Sequence, residues 1–145
     1  MKGKFFLDTN LLIYALDGND PQKQFIAQNW LAKAHASGEG VLSYQVVQEW
    51  FNVVLKKAAV PLNAKEATVF YDSLIAPLWR IHSSKELLKI ALDIYSKDKL
   101  SWWDSLIVGA ALMADCKTLF SEDLQHGRFI YGLKIINPFL PTAKN

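Results

Sequence analysis

Four acidic residues occupy places where a charge is not needed to keep the chain in solution. Asp8 directly follows the apolar run Phe5-Phe6-Leu7, and Asp123 follows Leu119-Phe120 by three positions. Glu49 lies three residues after Val46 and four before Val53, on or beside the apolar stripe of a predicted helix. Asp104 lies in the first turn of another helix, whose face continues through Val108 and Ala111. Two carboxylates about 5 Å apart repel by roughly 3 kcal/mol at an effective dielectric of about 20. A hard divalent cation relieves such a cluster while its oxygen ligands stay ionised, so Mg²⁺ or Mn²⁺ is the expected companion. His35, His82 and His126 are dispersed and have no zinc spacing, and the single Cys116 reads as a small buried hydrophobe. Each acid also has a plainer reading: Asp104 as the third residue of a capping box begun by Ser101, Asp8 or Asp123 as a turn or cap acid, Glu49 as the ion-pair partner of Lys56. Glu122 ranks second as a ligand, because in an extended segment it points away from Asp123.

Positioning these residues falls to strands alternating with helices. Lys4–Leu7 reads as a strand that turns at Asp8-Thr9-Asn10 into a helix carrying Leu11, Leu12, Tyr14 and Ala15. After the breakers Asp17–Pro21, a helix is predicted over Gln22–Ser37, closed by Gly38 and Gly40. Val41-Leu42 forms a short strand, and Ser43 caps a helix over Gln45–Ala58. Asn63 caps a helix to Ala76, and Leu78–His82 is the next strand. Ser83 or Ser84 caps a helix through about Lys97, and Ser101 precedes an apolar one over Trp103–Asp115. Thr118–Phe120 is a strand, a short helical turn ends at Gly127, Lys134–Ile136 is the last strand, and Pro138 begins the tail. This alternation predicts an α/β three-layer sandwich with a mainly parallel sheet and helices on both faces, in one domain over 1–145. Ligands of such sheets bind beyond the carboxyl ends of the strands, where Asp8 and Asp123 both fall.

Sixteen Lys and Arg face fourteen Asp and Glu in 145 residues, for a formal charge of +2. With four acids gathered in one pocket, the remaining surface is basic, which suits a polyanion as well as it suits simple solubility. The longest uncharged apolar stretch, Leu106–Ala114, is too short to span a bilayer, and Asp8 interrupts the apolar run after Lys4, so a reducing cytoplasm is the expected location. Phe25, Trp30, Trp50 and Phe51 exceed what one small core needs if some of them form a partner-binding or dimer surface. Of Trp102 and Trp103, at least one is expected in the core, the other being free to stack on a base.

Phe6-Leu7-Asp8-Thr9-Asn10, Gln48-Glu49-Trp50, Leu100-Ser101-Trp102-Trp103-Asp104-Ser105-Leu106-Ile107, Ser121-Glu122-Asp123-Leu124-Gln125-His126-Gly127 and the closing Asn137-Pro138-Phe139 resemble the PIN-domain nucleases, most closely the VapC-type toxins of toxin–antitoxin pairs. Each fragment is weak, but their order and separation span nearly the whole chain. The resemblance implies a PIN-like fold and a metal-dependent endoribonuclease that hydrolyses RNA phosphodiesters. Its acidic quartet maps onto Asp8, Glu49, Asp104 and Asp123 as catalytic and metal-binding residues, with Asn10 and Ser121 as accompanying ligand-orienting or substrate-contacting positions. It further implies a cognate antitoxin and a homodimer, and no membrane. Two alternatives stay open: a catalytically inactive PIN-like binding or regulatory domain, and a Mg²⁺-dependent phosphotransfer domain. The latter would place paired acids near the first strand, where this chain has Thr9 and Asn10 after Asp8.

Overall fold

The computed structural model describes residues 3–141, so the last residues of the predicted tail lie outside the described part. Strands β1 (Phe5–Leu7), β2 (Gly40–Ser43), β3 (Trp79–Ile81), β4 (Thr118–Phe120), β5 (Phe129–Ile130) and β6 (Leu133–Ile136) form one sheet in the order β3-β2-β1-β4-β6-β5. All neighbours are parallel except β5 and β6. The helices are α1 (Thr9–Leu16), α2 (Pro21–Ser37), α3 (Tyr44–Asn52), α4 (Ala64–Phe70), α5 (Lys85–Asp98) and α6 (Trp102–Met113). From β1 the chain steps outward through β2 to β3, and it then returns across the sheet to β4. Right-handed crossovers therefore put α1 to α4 on one face and α5 with α6 on the other. The result is the expected three-layer α/β sandwich. The reversal between β1 and β4 creates a crevice at their carboxyl ends, with Leu7 registered against Phe120.

Side-chain caps fix where each helix begins. Asp8, Asp20, Ser43, Asn63, Ser84 and Ser101 each accept a bond from a first-turn amide, which satisfies donors that the helix itself leaves unpaired. The β1 and β4 side chains are buried throughout. Trp30 packs against both Phe5 and Phe120, with ring centroids at 5.8 and 4.2 Å, so α2 is pinned over the centre of the sheet. Trp50 is fully buried and Phe51 packs on Trp50 and Tyr71. Of the four aromatics suspected of forming a partner surface, only Phe25 is exposed; the core uses the other three.

Three local expectations are corrected. The helix predicted to run to Ala58 widens into a π-helical turn over Val53–Lys57, because Leu62 N–H takes the Val54 carbonyl and the Ala58 amide bonds Val53 instead. The helix predicted to Ala76 likewise widens over Tyr71–Ile75, then tightens to a 3₁₀ turn over Ala76–Leu78. Pro77 has no N–H to continue the ladder. The helical turn predicted before Gly127 is absent: residues 121–127 form bends and turns, with Gly127 N–H bonded to Ile135 O at 2.8 Å. Beyond it lies a strand that sequence reading missed, β5. Tyr131 (φ 48°) and Gly132 (φ 83°) make its two-residue connection to β6, and two successive positive φ values suit the twist of a hairpin.

Gly40 offers a direct test of how closely α2 lies on the sheet. A Cβ there would stand 2.2 Å from Ala34 Cβ, so Gly40→Ala is expected to lower stability by about 1–3 kcal/mol. Urea denaturation reads this as a lower midpoint at unchanged slope.

Candidate active site

Asp8 leaves the end of β1 as the N-cap of α1, with its backbone N–H on Phe120 O at 3.0 Å. Its Oδ1 accepts from Thr9 N at 2.7 Å and its Oδ2 from Ser121 Oγ at 2.8 Å, joining the ends of β1 and β4. Ser121 is buried, and its amide bonds Ile136 O on β6 at 3.0 Å. The same hydroxyl accepts from Asp123 N at 3.2 Å. Asn10, on the first turn of α1, donates from Nδ2 to Asp123 Oδ2 at 2.9 Å. Both positions suspected of orienting ligands thus hold a suspected ligand each.

Glu49 is half-buried on α3, and both of its oxygens have partners. Thr9 Oγ1 donates to Oε2 at 3.0 Å, and Gln45 Nε2, one helical turn earlier, donates to Oε1 at 2.9 Å. Gln45 Nε2 also lies 3.3 Å from the backbone oxygen of Trp103, tying α3 to the first turn of α6. Asp104 is half-buried in that turn, and its amide donates to Ser101 Oγ at 3.1 Å. This is half of a capping box; among the described residues no return bond from the Asp104 carboxylate is made. The carboxylate is left to face its neighbours, at a helix N-terminus that favours negative charge.

The electrostatics tie the quartet together. Burial pushes the Asp8 carboxyl up to about 6, the bonds from Ser121 and Thr9 hold it down, and the charges of Glu49 and Asp123 raise it further. Asp123, although exposed, is also shifted upward, by desolvation first and then by Asp104 and Glu122. Asp8 therefore senses Glu49 and Asp123, and Asp123 senses Asp104. Hard carboxylate oxygens that raise one another's affinity for protons are a donor set suited to Mg²⁺ or Mn²⁺. The approach is incomplete: among the described residues no three His, Cys, Asp or Glu side chains stand close enough together to hold one ion.

The surrounding residues sort themselves. Glu122 is turned away, with Lys23 Nζ at 2.6 Å and Tyr14 Oη at 2.9 Å. Arg128 is bound to Asp98 and Lys97 to Asp93, at 3.3 and 2.9 Å. Trp102 is half-buried against Tyr95, whereas Trp103 is largely exposed beside Asp104. Cys116 is buried, with its thiol pushed up to about 12 by desolvation. Two members of the site escaped sequence reading, Thr9 and Gln45. The signal for Gln45 was its spacing, four residues before Glu49 on one helix face.

Comparison with known proteins follows the same outline. The family model of the PIN domain matches residues 5–129. No curated protein sequence matches. Among solved structures, FitAcB from Neisseria gonorrhoeae is similar at TM-score 0.65 and 21% identity, covering 93% of this chain and 98% of that one. A toxin–antitoxin complex from Klebsiella pneumoniae is similar at TM-score 0.65 and 16% identity, with the same coverage of 93% and 98%. VapC20 from Mycobacterium tuberculosis, described as a Sarcin-Ricin loop cleaving toxin, is similar at TM-score 0.58 and 16% identity, covering 83% and 92%. At these identities the likeness is one of fold.

Proposed function

This chain belongs to the PIN-domain family, and on that premise we propose that it is a metal-dependent endoribonuclease, with residues 1–145 acting as one nuclease domain. The observation that carries the proposal is the convergence of carboxylates on the carboxyl ends of β1 and β4, where Ser121 ties Asp8 to the end of β4, Asn10 holds Asp123, and burial with neighbouring carboxylate charge shifts both acids upward. Asp8, Glu49, Asp104 and Asp123 would hold Mg²⁺ or Mn²⁺. When bound, such an ion supplies Lewis acidity toward a phosphodiester and lowers the pKa of an attacking water. The chain supplies the positioning. Ser121 and the Thr9 amide fix the Asp8 carboxylate, Asn10 fixes that of Asp123, and Thr9 with Gln45 fixes that of Glu49. Exposed Trp103 offers a face to an unpaired base. In-line displacement would leave a 5′-phosphate and a 3′-hydroxyl.

The similar structures from toxin–antitoxin complexes support a toxin role with a cognate antitoxin as partner, and self-association into a homodimer belongs to the same reading. No helix of the described residues is long and apolar enough to cross a membrane, and a cytoplasmic site of action fits RNA as substrate. One observation favours a second reading, a PIN-like binding or regulatory domain without catalysis: the acids do not close into a trio of ligands among the described residues. Incubating the purified chain with a structured RNA and Mg²⁺ or Mn²⁺, then identifying the ends produced, separates the two. Internal cuts bearing 5′-phosphates are expected; binding without cuts in either metal would establish the second reading.

Gln45 provides a finer test. Gln45→Ala frees one oxygen of Glu49 and unties α3 from α6, so the concentration of Mn²⁺ needed for half-maximal thermal stabilisation should rise by about 10–100-fold. Titration followed by differential scanning fluorimetry measures it.

A further inference from the structure

Between buried Ser121 and buried Leu124 lie two consecutive acids, Glu122 and Asp123, in a segment of bends and turns. Side chains from α1 and α2 hold them. Asn10 and Tyr14, one turn apart on α1, each take one of the pair: Asn10 Nδ2 donates to Asp123 Oδ2 at 2.9 Å, and Tyr14 Oη donates to Glu122 Oε1 at 2.9 Å. From α2, Lys23 Nζ closes a triangle, donating to Glu122 Oε2 at 2.6 Å and to Tyr14 Oη at 3.2 Å. The ammonium also lies 4.6 Å from the centre of the Tyr14 ring and 5.4 Å from that of Phe139, which packs edge-on against Tyr14. Both oxygens of Glu122 are thus engaged, in a pair whose side chains are only 32% and 24% exposed. A surface ion pair ordinarily adds little to stability. What this triangle fixes is direction.

We propose that Lys23 and Tyr14 are positioning residues for Asp123: by gripping Glu122 they set the backbone that aims the neighbouring carboxylate at the cation site. This role rests on the reading of Asp123 as a ligand. Asp123 is exposed, and among the described residues its carboxylate has one hydrogen-bond partner, Asn10. A single bond lets a carboxylate swing, whereas Mg²⁺ demands near-ideal octahedral placement of its oxygens. Gripping the adjacent side chain on α1 and α2 removes that freedom without spending an oxygen of Asp123. Charge alone predicts the opposite role for Lys23. An ammonium near the site repels an incoming cation and neutralises Glu122, so on electrostatics its removal would tighten cation binding. On positioning, its removal weakens binding, and the sign separates the two.

Two measurements on the full chain test it, one with metal and one without. Mn²⁺ titration followed by electron paramagnetic resonance of the free ion should show Lys23→Met binding roughly tenfold more weakly than wild type. Tyr14→Phe, which changes no charge, should shift binding the same way, and Lys23→Arg, which keeps charge and donors, should restore most of it. In a Glu122→Ala background, Lys23→Met should add nothing, because its effect passes through Glu122. In chelator, the Asp123 amide, bonded to Ser121 Oγ, should exchange with deuterium faster in Lys23→Met than in wild type, with amides of β1 and β4 unchanged. Binding of Mn²⁺ by Lys23→Met as tight as wild type or tighter, or an Asp123 amide indifferent to the substitution, would overturn the proposal. So would weaker RNA binding at unchanged Mn²⁺ affinity, which would make Lys23 a phosphate contact. If wild type ignores Mn²⁺ while the Asp123 amide still loosens in the variant, the grip on the segment stands and the cation reading falls.

Discussion

Asp104→Asn is expected to abolish RNA cleavage, by two to three orders of magnitude or more, while leaving the fold intact. The amide keeps the shape of the side chain and the Ser101 cap on its backbone, but removes a charge on which cation binding depends. No hydrogen bond among the described residues depends on its carboxylate, so the loss should appear in kcat with little change in melting temperature. Equal loss of activity and of circular dichroism would mean that Asp104 is structural. Cleavage at the wild-type rate would remove it from the site.

The second large effect is on stability, and its sign is the reverse of what removing a buried hydrogen-bonded group usually brings. Asp8 is raised from 3.8 to about 6 in the folded chain, chiefly by burial. A proton bound more tightly in the folded state favours folding, so this stability is present in full below the unfolded value and is lost as pH rises through about 6. The shift corresponds to about 3 kcal/mol in metal-free solution at neutral pH. Asp8→Asn mimics the protonated form and keeps an acceptor for the Thr9 amide. In the presence of a chelator at pH 7.5, the variant should therefore melt higher than wild type by roughly 5–10 °C. The two should converge as pH falls below about 3.8, where wild type becomes protonated in both states. A variant that melts lower at both pH values would show that the bond from Ser121 outweighs desolvation and repulsion.

Much of this site can be read from the sequence because its residues lie at boundaries. Asp8 follows an apolar run too short to be anything but a strand, and the carboxyl end of a parallel strand is where such folds expose function. Asp104 and Glu49 are visible as carboxylates on or beside faces otherwise given to Val and Ala. Gln45 and Thr9 carry no such contradiction: an uncharged polar residue at a helix start is ordinary, and only the fold brings Thr9 to Glu49 across forty positions. The hairpin of β5 and β6 is illegible for a related reason. Its turn uses Tyr131 in a left-handed conformation where Asn or Asp is the usual signal, and the ring is held from outside by Asp93 and Lys97. The π-helical turns are equally remote from local propensity, since a carbonyl taken by Leu62 decides the first of them. Residues 121–127 look helical in isolation, but Asn10 on one side and Lys23 on the other hold Asp123 and Glu122 apart.

Asp8, Glu49, Asp104 and Asp123 are proposed to act together as one cation site. Thermal melting with and without Mn²⁺, on wild type and on Asp8→Asn side by side, tests that claim most directly. Wild type should be stabilised by about 2.7 kcal/mol when free Mn²⁺ reaches about one hundred times its dissociation constant, a shift of several degrees for a chain of this size. Asp8→Asn should lose most of that shift, and RNA cleavage with it. A wild-type melting temperature indifferent to millimolar Mn²⁺ and Mg²⁺, in a protein that still cuts RNA in the presence of a chelator, would contradict the account.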